Sequence, residues 1–349
     1  MIVRDGLRVK PASGLRGGLS RRAFFAGAAA AFTSAAIRVP EAYAKDLTFK
    51  HAFGESVLPR PAERVVSLGF TSHDTLLALG TPPVATRYWF GNHPYGVWPW
   101  AQPYLGDTKP DMLIGEVSIE RVAAQEPDLI VAIGSGISEA EYQVLSQIAP
   151  VLMHDAADIT YGTPWDAMTL TLGRALGKSA EAETLVAGVR EKFAAVRRRH
   201  PDWAGKTGVA GYHWGGETGA FIGADTRARF LSELGFQPTS KVAELSSPSE
   251  FYARLSPEDL SPLDADVLIW ISSFDKVPDL VDLPMRKTLR AHQEGREVFA
   301  GSLLAAGMSF GSVLSLPFVL EELETEITAA IDGRTETQVP TATRAGLAP

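Results

Sequence analysis

A run of helix-forming residues in the middle of the chain constrains the fold more than any other feature. Between Pro164 and Arg199 nearly every residue favours a helix, with the expected break at Gly177. Apolar side chains recur there every three or four positions, as on one face of a helix. They are Trp165, Met168, Leu172, Leu176, Leu185, Val189, Phe193 and Val196. The run predicts a long helical connector between two other regions.

On both sides of this run, predicted strands and helices alternate. Before it, strands are expected at "RVVSLGF", "TPPVATRYW", "DLIVAIG" and "PVLMHD", and helices at "SHDTLLALG", "SIERVAAQEP" and "SEAEYQVLSQIA". After it, strands are expected at "GVAGYHW", "GAFIG", "ADVLIWIS" and "REVFAG", and helices at "TRARFLSELG", "SPEDLSPL", "LPMRKTLRAHQEG" and "SLPFVLEELETEITAAI". This alternation predicts an α/β protein with parallel-rich sheets flanked by helices. Two such lobes joined by one long backbone helix would leave a ligand cleft between them.

The expected boundaries follow from this plan. They are an N-terminal lobe at 45–160, an interlobe helix at 161–200, a C-terminal lobe at 201–332 and a flexible tail at 333–349. The tail is polar and contains proline without any apolar period.

Residues 1–44 are predicted to be a signal peptide of the twin-Arg type. Arg21 and Arg22 stand between Ser20 and an Ala-rich run, which ends in the small-x-small pattern Ala42-Tyr43-Ala44. We therefore expect an exported protein of the periplasm or cell envelope. The chain contains no cysteine, so neither a lipid anchor on cysteine nor a thiolate metal site is expected.

The charge of the exported part argues against nucleic acid as a partner. Residues 45–349 carry 26 lysines and arginines against 39 acids, a formal charge of −13. Nucleic-acid affinity depends mainly on neutralising phosphates with basic side chains. We expect no nucleic-acid partner and a monomer.

The sequence offers no catalytic or metal-binding constellation. Ser72, His73 and Asp74 are the residue types of a hydrolase triad, but consecutive residues on a helix do not face one another; a helix start capped by Ser72 is the expected interpretation. The glycines of "GYHWGGETGAFIG" match no phosphate-binding fingerprint and are expected to form a hairpin turn. The seven histidines are scattered. We expect a protein that is not an enzyme and holds no metal site of its own.

Residues 87–104, "RYWFGNHPYGVWPWAQPY", hold seven aromatic rings together with three prolines and two glycines. Such a segment cannot be a regular helix or strand. It is either a compact surface loop whose rings pack on one another or one wall of a binding site. Trp100 and Tyr104 are expected to be structural.

The chain resembles the helical-backbone class (class III) of solute-binding proteins of ABC importers, which capture ferric siderophores, haem or cobalamin. The resemblance covers roughly residues 60–330. In family order, it rests on "RVVSLGFTSHDTLLALG", "GEVSIERVAAQEPDLIVA", "TLTLGRALGKSAEAETLV", "FIGADTRARFLSELGF" and "LSPEDLSPLDADVLIWIS". It implies capture of a ferric siderophore and its delivery to an ABC importer permease.

The resemblance also implies which residues act. Each lobe of a family member presents a glutamate to arginines of the permease, and the matching residues are Glu120 and Glu258, both expected in the first turn of a helix. Ligands contact the loops that follow strands. The expected ligand-binding residues are Arg87, Tyr88, Trp89, Trp98, Tyr161, Trp214, Arg227 and Phe274.

These side chains suggest an anionic chelate, with aromatic faces covering its apolar parts and arginines pairing with carboxylate or catecholate oxygens. No cofactor is expected, because a siderophore can fill the coordination sphere of its iron. A haem- or cobalamin-binding member of the same class remains an alternative. Haem would need an axial ligand, for which Tyr88, His93, Tyr161 and His213 are candidates. An exported chelate-processing hydrolase is a further alternative.

Overall fold

The computed structural model describes residues 47–247, 249–275 and 277–349. The predicted signal peptide lies outside these residues. Among the helices of the described part, none combines the length and the apolar character that crossing a membrane requires.

A short antiparallel hairpin precedes the first lobe. Its strands are β1 (Thr48–His51) and β2 (Gly54–Val57). The Ser56 hydroxyl donates to the Val151 carbonyl at 2.7 Å, which ties the hairpin to the lobe. The sequence carries no strand pattern for this hairpin, since its four-residue strands contain few apolar residues.

The N-terminal lobe is built on a five-stranded parallel sheet with the order β5-β4-β3-β6-β7. Its strands are β3 (Val65–Ser67), β4 (Ala85–Arg87), β5 (Asp111–Leu113), β6 (Leu129–Val131) and β7 (Val151–Leu152). Its helices are α1 (Ser72–Ala78), α2 (Ile119–Ala123) and α3 (Glu139–Leu145). After β3, the next two strands, β4 and β5, are added on one side of it, and β6 and β7 are added on the other side. The order of strands therefore reverses at β3 and β6.

The predicted helical connector is two helices. α4 (Trp165–Ala175) and α5 (Ser179–Arg199) are separated at Gly177, whose φ of +68° suits the predicted break. α5 is the backbone helix. Ala182, near its start, packs in the N-lobe core, whereas Val189, Phe193 and Val196 pack in the C-lobe core. Its 21 residues span about 31 Å at 1.5 Å each.

The C-terminal lobe is built on a mixed five-stranded sheet with the order β10-β9-β8-β11-β12. Its strands are β8 (Gly208–Trp214), β9 (Glu217–Phe221), β10 (Tyr252–Arg254), β11 (Val267–Ile271) and β12 (Glu297–Ala300). β11 is parallel to β8 and β12, and β9 is antiparallel to both of its neighbours. The predicted hairpin turn between β8 and β9 is present, with positive φ at Gly215 and Gly216.

The helices of this lobe cover the sheet. They are α6 (Thr226–Glu233), α7 (Ser240–Leu245), α8 (Val277–Val281), α9 (Arg290–Gln293), α10 (Ser302–Phe310), α11 (Ser315–Ile331) and α12 (Pro340–Arg344). Two helix predictions were too long. "SPEDLSPL" is a turn followed by the 3-10 helix Ser261–Leu263, and "LPMRKTLRAHQEG" divides into the 3-10 helix Pro284–Thr288 and α9.

The predicted flexible tail at 333–349 is wrong for most of its length. It contains α12, and Val339, Ala342 and Leu347 are buried in the C-lobe core. Thr341 donates from its backbone N and its hydroxyl to Glu326, both at 2.9 Å. Three apolar residues separated by polar ones lack a period that the sequence alone could reveal, yet they suffice to dock the segment.

Candidate ligand site

A cavity of about 370 Å³ lies between the two lobes. The N-lobe contributes Phe70, Thr71, Thr75, Trp89, Ile133 and Gly134. The segment that leads into the connector contributes Tyr161, Thr163, Trp165 and Met168. The C-lobe contributes Asp225, Thr226, Arg227, Phe251, Tyr252, Ser309, Phe310, Gly311 and Ser312.

The topology of the N-lobe explains the place of this cavity. Phe70 and Thr71 follow β3, and Ile133 and Gly134 follow β6, so the cavity lies at the carboxyl ends of the two strands where the sheet order reverses. At such a reversal the connections that follow the two strands lead away in opposite directions and leave a crevice that ligands occupy.

Aromatic rings form much of the wall. Trp89 packs between Phe70 and Phe310, with ring centres 5.6 and 5.7 Å apart, and 39% of its surface stays exposed. On another side Tyr161 packs edge-on against Phe251 at 6.3 Å. These walls can cover the apolar faces of a bulky ligand.

Arg227 lines the cavity, as the sequence predicted, but it is already paired. Its Nε and Nη2 donate to the two carboxylate oxygens of Asp225 at 2.8 and 2.6 Å, and Nη1 donates to the Ser309 hydroxyl at 2.9 Å. The guanidinium lies 3.7 Å from the ring centre of Phe221. Asp225 also caps α6 by accepting from the backbone N of Arg227. This arrangement fixes the guanidinium in the wall.

Arg87 does not line the cavity. Its Nη1 donates to the Ser135 carbonyl at 2.8 Å, its Nη2 donates to the Gly115 carbonyl at 3.4 Å, and the guanidinium packs over the ring of Phe70. The predicted role of Arg87 as a ligand contact is therefore not supported by this geometry. From the end of β4, the guanidinium satisfies carbonyls in the loops after β5 and β6 and supports Phe70, which does line the cavity.

In the aromatic loop at 87–104, some rings form the cavity wall and others pack behind it and support it. Trp98 is only 3% exposed and stacks on Trp100 with ring centres 5.3 Å apart and an interplanar angle of 5°. Trp100 donates from Nε1 to Asp74 and stacks on Phe318 of α11. Trp98 was predicted to touch the ligand, but it lies behind the cavity wall. Trp100 lies there too, which agrees with its expected structural role. Tyr88 bonds to Asn92 within the loop at 3.3 Å and lies outside the cavity lining.

Trp214 and Phe274 lie outside the cavity, on a neighbouring part of the C-lobe. They are 62% and 60% exposed, and their ring centres are 6.5 Å apart. Phe274 also approaches Phe90 of the N-lobe at 6.3 Å, and Phe90 contacts Trp89 at 4.7 Å. Both predicted contacts thus belong to an exposed row of rings that continues from Trp89.

The sequence Ser72-His73-Asp74 is buried behind the cavity. Ser72 does not cap α1, because its hydroxyl bonds to Ser67 and to the Gly69 carbonyl. Burial lowers the pKa of His73 to about 4 and raises the pKa of Asp74 to about 7. Asp74 accepts from Trp100 and from Ser312, so these residues pack the lobes together rather than forming a nucleophilic relay.

The haem-ligand candidates are spread apart. Among the described residues that line the cavity there is no histidine, and of the four candidates only Tyr161 lies there. His213 bonds to Thr218 at 2.7 Å, and His93 packs on Trp98. In the described part of the chain, no cluster of histidines and acids could hold a metal ion.

The two predicted docking acids are both exposed. Glu120 lies in the first turn of α2, as predicted, and accepts from the Ser118 hydroxyl at 3.1 Å. Glu258 lies in a turn before the 3-10 helix Ser261–Leu263, so its predicted place in a helical first turn is wrong. The 3-10 helix begins only after this turn, at Ser261. The backbone N of Ser261 donates to the Asp259 carboxylate, and Pro262 lies in the first turn of the helix.

A match to a known protein family identifies the family of this chain. Residues 65–301 match the model of the periplasmic binding protein family, which covers most of both lobes. The chain belongs to the periplasmic binding protein family. This confirms the resemblance stated from the sequence and the two-lobed α/β architecture.

Individual members of the periplasmic binding protein family agree with this assignment. A crystal structure of a periplasmic solute-binding protein from Mycobacterium smegmatis is 33% identical, with a TM-score of 0.73 over 82% of this chain and 98% of that one. PiaA of Streptococcus pneumoniae in complex with ferrichrome is 24% identical, with a TM-score of 0.71 over 82% of this chain and 99% of PiaA; this likeness shows the fold alone.

Among curated proteins, the ferric enterobactin-binding periplasmic protein FepB of Escherichia coli is 29% identical over 153 residues. The match covers 42% of this chain and 47% of FepB, so the chain spans about half the length of the curated relative it matches. The curated relatives of this chain all carry the names of binding proteins.

Proposed function

We propose that this protein is an extracytoplasmic solute-binding protein that captures a ferric siderophore and delivers it to an ABC importer. The observation that carries the proposal is the aromatic-walled cavity between the lobes, at the point where the order of strands in the N-lobe reverses. Binding proteins for ferric chelates among the relatives support the choice of ligand class.

Two indoles in the cavity wall make the proposal directly measurable. Trp89 and Trp165 both line the cavity, so a bound ferric complex should quench their fluorescence. The experiment titrates the protein from residue 45 onward with a panel of ferric hydroxamates, ferric catecholates, ferric citrate, haem and cobalamin, and follows both fluorescence and thermal unfolding. Saturable quenching with a raised Tm for at least one ferric siderophore is expected. If none of the ferric siderophores in the panel bound, the proposal would be refuted.

Haem is kept as a second candidate because the phenol of Tyr161 lies in the cavity wall, where it could serve as an axial ligand. A haem-binding protein would give a Soret band on reconstitution and would lose it in Tyr161→Phe. A siderophore-binding protein would give neither result.

Delivery to a permease is proposed to use Glu120 and Glu258. Both carboxylates are exposed, one on each lobe, and exposed acids pair readily with arginines of a partner. Relatives named as periplasmic support an extracytoplasmic place for the protein. We propose that it acts there as a monomer.

A further inference from the structure

We propose that the cavity selects charge-neutral ferric chelates of the tris-hydroxamate type over trianionic tris-catecholates. The inference rests on the proposed function and names the chemical class of its ligand. It replaces the expectation, drawn from the sequence, of an anionic chelate held by arginines.

The charge of the cavity wall is balanced internally. Among the described residues that line it, Asp225 and Arg227 are the only charged ones, and they face each other as a bidentate pair. Asp225 is only 3% exposed, so its carboxylate stays with the guanidinium rather than with water. The wall therefore presents no uncompensated positive charge to a ligand.

Two neighbouring arginines are engaged elsewhere, and one of them, Arg254, pairs with Glu217 at 2.9 Å. The guanidinium of Arg87 is held by the carbonyls of Ser135 and Gly115, away from the lining. Behind the wall, Ser312 bonds to the buried carboxyl of Asp74, which can add only negative charge to the cavity. His73 beside it stays neutral at physiological pH, because burial lowers its pKa to about 4.

The chemistry of the chelates then decides which class fits. Three hydroxamates, each carrying one negative charge, neutralise Fe(III), whereas three catecholates, each carrying two, leave a trianion. Moving a trianion out of water into a largely apolar cavity without a matching cation is costly. A neutral chelate avoids that cost.

Hydrogen-bond donors suited to a neutral chelate are present. Arg227 keeps one N–H on each Nη after its bonds to Asp225 and Ser309. Thr163 also lines the cavity, but its hydroxyl is buried and has no protein partner. Carbonyl and hydroxamate oxygens of a chelate can accept from these N–H groups of Arg227, and the aromatic walls cover its organic shell.

The first test compares two chelates on the unaltered protein. Dissociation constants for ferrichrome, a neutral tris-hydroxamate, and ferric enterobactin, a trianionic tris-catecholate, are measured by tryptophan quenching at low and high ionic strength. Ferrichrome should bind at least about tenfold more tightly, with a dissociation constant that does not change with salt, since screening acts only on charges. Equal or tighter binding of ferric enterobactin would overturn the inference and leave the proposed function standing. Failure of both chelates to bind would overturn the inference as well.

The second test removes the compensating charge. Asp225→Asn keeps a good N-cap for α6 but leaves the Arg227 charge unbalanced, so the affinity for ferric enterobactin should rise about tenfold relative to ferrichrome. Asp107→Asn, an exposed acid outside the cavity, makes the same change in net charge and should leave the ratio unchanged. An equal ratio in both variants would contradict the proposed role of Asp225, and if Asp225→Asn does not fold, the comparison on the unaltered protein still decides.

Discussion

The carboxylate of Asp74 in the N-lobe accepts a hydrogen bond of 2.5 Å from the hydroxyl of Ser312 in the C-lobe. Both side chains are buried, and the same carboxylate oxygen accepts from Nε1 of Trp100 at 2.8 Å. A single carboxyl group thus joins the aromatic loop, α1 and the turn before α11. Its protonation has consequences for stability.

The contribution of Asp74 to stability should decrease as the pH rises from about 4 to 7. Burial raises its pKa from 3.8 to about 7, so the folded state holds the proton more tightly than the unfolded chain does. Its contribution to the free energy of unfolding is therefore full below pH 4 and is lost as the pH rises toward 7. Relative to Asp74→Asn, the native chain should lose up to about 4 kcal/mol across that range, at about 1.4 kcal/mol per pH unit.

Urea unfolding of both proteins at several pH values checks this prediction. His73 acts in the opposite direction, because its lowered pKa gives stability that is lost as the pH falls from 6.5 toward 4. It is present in both proteins, so the difference between them reports Asp74. A difference that stays constant with pH would show that Asp74 is ionised in the folded protein.

Removing either of two tryptophans of the aromatic loop should affect a different property: ligand affinity for Trp89 and stability for Trp98. Trp89→Ala takes away part of the cavity wall and should weaken siderophore binding about tenfold or more, with a smaller loss of stability than for a fully buried ring, since 39% of Trp89 is exposed. Trp98→Ala leaves a void among Trp100, Phe310 and Phe90 and should lower the free energy of unfolding by about 3–5 kcal/mol. Denaturation and ligand titration of the two variants separate these effects. Comparable affinity losses in both would mean that the ligand reaches deeper than the cavity.

Reversing the docking charges should uncouple capture from uptake. Glu120→Lys combined with Glu258→Lys should abolish uptake of the ferric chelate in cells that lack their own copy, while the affinity for ligand stays the same. Glu183→Lys combined with Glu321→Lys changes the net charge equally at two other exposed positions and serves as the control. Uptake lost in the control as well would point to a general effect of charge.

The packed C-terminal segment should matter for stability. Nη1 of the buried Arg286 donates to Glu297 at 2.6 Å and to the Leu347 carbonyl at 3.1 Å. Deleting residues 340–349 removes that carbonyl and uncovers the C-lobe core, so we expect a loss of about 3 kcal/mol or more. Deleting only Ala348 and Pro349, which are exposed, should have no effect. Equal Tm values for both truncations would show that the segment does not contribute.

The sequence predicts the parts of the fold that repeat a local pattern. β6 and β11 are short apolar runs, and the break at Gly177 follows from glycine, so these features were found. β5 was missed because only one of its three residues is buried. The docked tail was missed because its apolar residues meet the core only after the chain has folded.

The candidate site was predicted less well, for a reason of geometry. Strand-following loops identified Trp89, Tyr161 and Arg227 correctly as cavity residues, since the topology sets where loops end. The direction of each side chain within its loop depends on contacts far along the chain, and this moved Arg87 and Trp98 out of the lining. Asp225 had a local signal, a capping acid two residues before an arginine, that could have shown the paired charge.

One edge of the cleft is closed by rings from both lobes. Trp100 stacks on Phe318 at 5.6 Å and Trp98 meets Phe310 at 6.1 Å, next to the bond between Asp74 and Ser312. Swinging the lobes wide apart would expose these rings to water at a cost of about 1.5–3 kcal/mol for each large side chain. We therefore expect little hinge motion, so that ligand enters a cleft that is already assembled. Under the proposed function, we expect an importer to read occupancy from the mouth of the cleft rather than from a large change of shape.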